Sequence, residues 1–192
     1  MKTIYLDNAA TTQIDEDVVE IIHSSMKNNF GNPSSVHQFG RKAKSAVETA
    51  RKNIAKHFNV SASEIIFTAG GTEADNLILQ NAVLNLNVKR IVTSKIEHHA
   101  VLHTCNHLKK SHNTVVDYVK VDEFGVVNIE HLNELLSITN TKTLVSLMLI
   151  NNEIGNFLDA EKISLICKNN NALFHSDTVQ AVAHYPIDLQ KT

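Results

Sequence analysis

The stretch "KRIVTSKIEHHAVLHTCNHLKK", residues 89–110, changes character in its middle. Lys89–Ser94 is a short, β-branched run and reads as a strand, whereas "AVLHTCNHLKK" reads as a helix. The polar cluster "IEHHA" lies where one gives way to the other. Working outward, the same order recurs. "EIIFT" (Glu64–Thr68) is read as a strand before the helix "TEADNLILQNAVL". "TVVDYV" precedes the helix "IEHLNELL", "TLVSLMLI" precedes "AEKISLICKN", and "NALFHS" closes the series. Nearer the start, Asp15 caps a helix carrying Val18, Ile21, Ile22 and Met26. A second amphipathic helix sets Ala43, Ala46, Val47, Ala50 and Ile54 on one face. Alternation of this kind predicts an α/β fold built on a mostly parallel, buried sheet with flanking helices. "SASE" (Ser61–Glu64) fits a capping box, but the apolar run after it is short and β-rich. A turn into a strand is therefore the expectation there.

Composition narrows the function classes. The chain has 192 residues, 43% of them hydrophobic, and a net charge of −2. That supports a sizeable core and carries none of the basic footprint of a nucleic-acid binder. No run approaches the roughly 18 apolar residues of a membrane span. Asp7 interrupts the start before any apolar signal region forms, so no signal peptide is expected. Cys105 and Cys167 are far apart and form no disulfide framework, which points to a reducing cytoplasm.

Four polar clusters follow the expected strands directly: "AGGTE", "IEHHA", "NNEIG" and "SDTVQ". In open parallel sheets, ligands bind outside the carboxyl ends of the strands, so the four would share one rim. Gly70 and Gly71 allow close approach of backbone, and Thr72 offers a hydroxyl beside free N–H groups at a helix start, which suits a phosphate. A tight turn with a threonine cap fits the same residues. His98 and His99 open a helix, where an imidazole can stack on a flat ring or move protons; simple surface histidines are the alternative. His99, His103 and His107 share one helix face, but two turns is long for one ion, and no metal site is expected. Asn152 can donate to a ligand oxygen or merely sit in a turn. Asp177, held at a strand end, can pair with a protonated ring nitrogen, and Gln180 can reach a phenolic oxygen on the same ring. A phosphate cradle, a stacking imidazole, a carboxylate for a pyridinium and an amide for an oxygen together describe pyridoxal phosphate.

Six segments in this order resemble the N-terminal part of the NifS/IscS-like cysteine desulfurases, in the class V aminotransferase family. They are "YLDNAATT" (5–12), "GNPSSVHQFG" (31–40), "FTAGGTEADNL" (67–77), "EHHAV" (97–101), "NNEIG" (151–155) and "HSDTVQAV" (175–182). The resemblance covers essentially the whole chain. It implies the type I fold of pyridoxal-phosphate-dependent transferases. It also implies an N-terminal segment, 1–14, packing near a small domain, and a large cofactor-binding domain, 15–192, that stops before the Schiff-base lysine. His98 matches the histidine that stacks on the cofactor and can relay protons. Asp177 matches the partner of the pyridinium nitrogen, Gln180 and Asn152 the residues near the ring oxygen, and Gly71 and Thr72 the phosphate-binding turn. The implied reaction takes sulfur from L-cysteine, leaving L-alanine and an enzyme persulfide that supplies iron–sulfur clusters or thiolated cofactors. A cytoplasmic homodimer and an iron–sulfur scaffold or other sulfur acceptor are the implied partners.

The family's lysine lies in a Ser-x-His-Lys-like context that these residues lack; Lys191, in "DLQKT", does not match it. The family's nucleophilic cysteine lies further downstream, while Cys105 and Cys167 read as packed core residues. The 192 residues alone are thus expected not to release sulfide from cysteine. Rival readings are a selenocysteine lyase or an aminotransferase of the same family, a short non-catalytic binding protein, and a metal-binding module on the His99/His103/His107 face.

Overall fold

The computed structural model describes residues 3–138 and 141–191. The chain forms two compact units, Met1–Ile66 and Phe67–Thr192. The helical spacings of the first unit yield α1 (Glu16–Asn28) and α2 (Gln38–His57). Asp15 caps α1, its carboxylate accepting the Asp17 N–H at 2.9 Å, and Glu16 and Asp17 at the first turn suit the helix dipole. No residue of α1 is buried. On α2, Ala43 is buried and Ile54 half-buried, but Ala46, Val47 and Ala50 of the expected apolar face are exposed.

One expected element is absent. Residues 62–64 form a 3₁₀ turn, Ala62–Glu64, and 65–68 belong to no strand. The capping box is real: the Ser61 N–H donates to Glu64 Oε2 at 2.8 Å, and the Ser61 hydroxyl accepts the Ser63 N–H at 3.3 Å. β-rich composition makes a strand only where a second strand supplies its hydrogen bonds. At 65–68 the four-stranded sheet supplies none.

The second unit is the α/β layer structure anticipated. It runs α3 (Gly71–Leu84), β1 (Arg90–Thr93), α4 (His99–His112), β2 (Val115–Tyr118), α5 (Ile129–Ser137), β3 (Thr143–Ser146), α6 (Ala160–Asn169) and β4 (Leu173–His175). The strands lie in the order β2-β1-β3-β4, and every pairing is parallel. Central β1 and β3 are buried throughout, while edge strands β2 and β4 are half-exposed. Successive side chains point to opposite faces, and this divides the core in two. Ile91 and Leu144, paired in register, join Leu79, Val83, Val101, Cys105 and Leu108 from α3 and α4. Val92 and Val145, one residue on, join Leu132, Leu136, Ile163 and Cys167 from α5 and α6. Arg90 ties β1 to β2 through Asp117 at 2.6 Å and also donates to the Leu135 carbonyl. Both cysteines are packed in these cores, and burial pushes each thiol up to about 12. No described helix is long and apolar enough to cross a membrane.

Candidate functional site

The register places the ends of β1, β3 and β4 level: Thr93 pairs with Ser146, and Ser146 with His175. "IEHHA", "NNEIG" and "SDTVQ" therefore leave the sheet at one rim. "AGGTE" reaches it differently, as the start of α3 rather than the end of a strand.

Asp177 lies two residues beyond β4 and is buried. The Leu147 N–H donates to the His175 carbonyl at 3.1 Å and the Leu149 N–H to the Asp177 carbonyl at 2.9 Å, so ladder bonding continues past the formal strand end. The Asp177 carboxylate accepts the Val179 N–H at 2.9 Å. Among the described residues no lysine or arginine forms an ion pair with it. Burial raises its pKa and the Asp75 charge adds to this; the Val179 N–H, His98 and His175 work the other way.

His98 is the N-cap of α4, its Nδ1 accepting the Ala100 N–H at 3.2 Å. That leaves Nε2 as the protonated nitrogen of the neutral ring, exposed at the rim. Thr72 and His98 line one open cavity of about 510 Å³ together with Asn76, Gln80 and His103. Gly71 opens α3 so close to the "SDTVQ" turn that an added Cβ would lie 2.5 Å from Val179 Cγ2. Gly70 is different: its backbone is extended, and nothing lies within 4 Å of an added Cβ. Gln180, half-buried, follows Val179 in the same turn. Asn152 instead donates to Glu153 Oε1 at 2.8 Å. Its neighbour Asn151 builds the loop: the buried amide donates to the Ile96 carbonyl at 2.6 Å and its oxygen accepts the Glu153 and Ile154 N–H groups. Gly155 completes that turn at φ 73°, a left-handed conformation that favours glycine.

Three further residues belong to the rim. Glu97 is buried; it bonds the Ser94 hydroxyl at 2.6 Å and accepts the Met148 N–H at 2.9 Å, joining the ends of β1 and β3 beside His98. Burial raises its pKa to about 7. His175 Nδ1 lies 2.9 Å from Ser146 Oγ, and its Nε2 lies 3.4 Å from Asp75 Oδ1 on α3. Asp75 had a sequence signal, since it stands at helical spacing with the buried Leu79, Ala82 and Val83. A carboxylate on an apolar helix face is costly unless it meets a partner. Among the described residues no group of three or more histidines, cysteines or acids is arranged to hold a metal.

The donor set suits a flat, anionic ring compound with a protonated nitrogen. The buried Asp177 carboxylate has no lysine or arginine partner among the described residues; His98 and Thr72 face one cavity; and a helix start sits where only glycine clears Val179. The family model described as aminotransferase class-V matches residues 4–192. Over 192 residues the chain is 43% identical to the cysteine desulfurase IscS of Methanosarcina thermophila, covering 99% of this chain and 47% of that protein. The chain thus spans about half the length of the curated relatives it matches. A NifS-like protein from Rickettsia africae superposes with a TM-score of 0.87 at 38% identity, covering 99% of this chain and 51% of that one. SspA, solved in complex with cysteine, superposes with a TM-score of 0.90 at 31% identity, covering 98% and 54%.

Proposed function

The chain belongs to the aminotransferase class-V family, and we propose that it forms the N-terminal half of a pyridoxal-phosphate-dependent cysteine desulfurase. The observation that carries this reading is Asp177: a buried carboxylate at a strand end, without a lysine or arginine partner among the described residues, beside His98. A protonated ring nitrogen would supply the missing positive charge. The N–H groups at the start of α3, from Gly71 onward, and the Thr72 hydroxyl would hold the phosphate. His98 would stack on the ring, and its exposed Nε2 stands ready to carry a proton. Gln180 and Asn152 would bond the ring oxygen, Asn152 by exchanging its contact with Glu153. When bound, the cofactor supplies an electron sink for the carbon from which a proton is removed. Asp177 would hold the proton on the ring nitrogen, and that proton would make the sink effective.

The same proposal gives L-cysteine as substrate and L-alanine and a protein persulfide as products. An iron–sulfur scaffold or other acceptor protein would take the sulfur from a cytoplasmic homodimer. Residues 1–14 would pack near a small domain, with 15–192 contributing to the large one. Cys105 and Cys167 are excluded as the nucleophile by burial and by thiols pushed up to about 12. The test is to incubate the full-length protein carrying this chain with pyridoxal phosphate, L-cysteine and a thiol reductant, and to measure alanine and sulfide. Equal release of both is expected, and Asp177→Ala should abolish it. Turnover of selenocysteine alone, or transfer of an amino group without sulfide, would overturn the assignment.

A further inference from the structure

We propose that His175, clamped between Asp75 and Ser146, is a positioning residue that locks the phosphate end and the ring-nitrogen end of the cradle into one unit, and that Asp75 makes Asp177 select a cationic ring. The inference rests on the role proposed for Asp177.

The geometry starts from strand period. His175 and Asp177 are two residues apart on a chain segment whose carbonyls both accept from the Leu147–Leu149 segment, so their side chains leave the sheet on the same side. Ser146 is the register partner of His175, which explains its hydroxyl 2.9 Å from Nδ1. Asp75 comes from α3, one turn after Gly71, and faces Nε2 at 3.4 Å. A carboxylate opposite Nε2 favours the ring proton there, so Nδ1 accepts from the Ser146 hydroxyl. One imidazole thereby joins α3, β3 and the end of β4. The start of α3 presents Gly71 and Thr72; the segment after β4 presents Asp177. His175 fixes the distance between them.

The electrostatics point the same way. Asp75 and Asp177 are both buried, and Glu97 is a third buried acid within their field. His98 and His175 are the titratable groups of opposite tendency that act on Asp177. Negative charge from Asp75 penalises an Asp177 carboxylate left alone and rewards one that meets a cation. Asp75 thus acts on the ligand's ring nitrogen without touching it.

Binding of pyridoxal phosphate and of its 1-deaza analogue, which lacks the ring nitrogen, tests this in the cofactor-free full-length protein. Wild type should prefer the natural ring. Asp75→Asn should shrink that preference by about tenfold, the effect of one pKa unit, with a smaller change for the deaza ring, whereas His175→Gln, which removes the link between the two ends, should weaken both rings. Nitrogen-15 NMR of the cofactor-free protein should find His175 protonated at Nε2, and Asp75→Asn should redistribute that proton. An Asp75→Asn variant that weakens both rings equally, a His175→Gln variant that binds both rings as wild type does, or a His175 ring protonated at Nδ1 would overturn the inference while the functional reading stands. A wild type that binds neither ring would overturn the functional reading and this inference with it.

Discussion

Glu97 stands one residue before His98 with both carboxylate oxygens engaged, and its pKa is raised from 4.5 to about 7. Between those values the folded protein keeps a proton that the unfolded chain gives up. Stability therefore falls as pH rises through that window and levels off above it, by an upper bound of about 3 kcal/mol. Glu97→Gln should flatten this slope in a series of denaturation midpoints from pH 4 to pH 8. An unchanged slope would mean that the buried carboxyl does not titrate there. The two glycines beside Thr72 make a second contrast. Gly71→Ala forces Val179 to move and should cost about 1 kcal/mol, the low end for overpacking because Val179 is exposed. Gly70→Ala adds a methyl in open space and should stay within about 0.5 kcal/mol. Urea midpoints that move equally would contradict the close approach. Of the rim residues, those in turns and caps were legible because their types are unusual after apolar runs. Asp177 and His98 are of this kind. His175 and Glu97 were not singled out, because their partners Ser146 and Met148 lie 29 and 51 residues away in the chain.

At the scale of elements, helices were legible and strands partly so, for a physical reason. A helix satisfies its own backbone, so its caps and period are local. Asp15, His98, Asn128 and Asp159 all cap helices whose apolar spacing is visible in the sequence. A strand depends on a neighbour, and "EIIFT" has the composition of a strand without forming one. The reverse error occurred just before it, where the Ser61–Glu64 box does cap a short 3₁₀ turn. α5 offers a measurement of what a cap contributes. Asn128 Oδ1 accepts the His131 N–H at 2.7 Å, and the helix it opens buries Leu132 and Leu136. Asn128→Ala should lose about 1 kcal/mol. Asn128→Asp, which keeps the acceptor and suits the dipole, should lose little. A matching loss in both variants, read from denaturant curves, would show that the side-chain oxygen is not the acting group.

Across the whole chain, the two units differ in how fully their apolar faces are covered. In Phe67–Thr192, alternate residues of β1 and β3 serve cores on both faces of the sheet, and α3 to α6 bury their stripes there. In Met1–Ile66, α1 carries the amphipathic pattern read from the sequence, yet Val18, Val19, Ile21, Ile22 and Met26 are all exposed. Ile4, Leu6 and Ile14 are exposed as well. An amphipathic helix that leaves its apolar stripe in solvent offers an interaction face or an aggregation liability. In the relatives, about half the length lies outside the stretch matched here, which is ample polypeptide to cover it. The 192-residue chain produced alone should therefore bind the dye ANS and self-associate, whereas the full-length protein should bind less dye per residue. Val18→Ser with Ile22→Ser should reduce dye binding by the isolated chain, and should destabilise the full-length protein by about 2 kcal/mol or more if the face is buried there. Light scattering and dye fluorescence read the first effect, and denaturation midpoints the second. An isolated chain that stays monomeric and dark, or a full-length protein indifferent to both serines, would show that α1 keeps its apolar stripe in water.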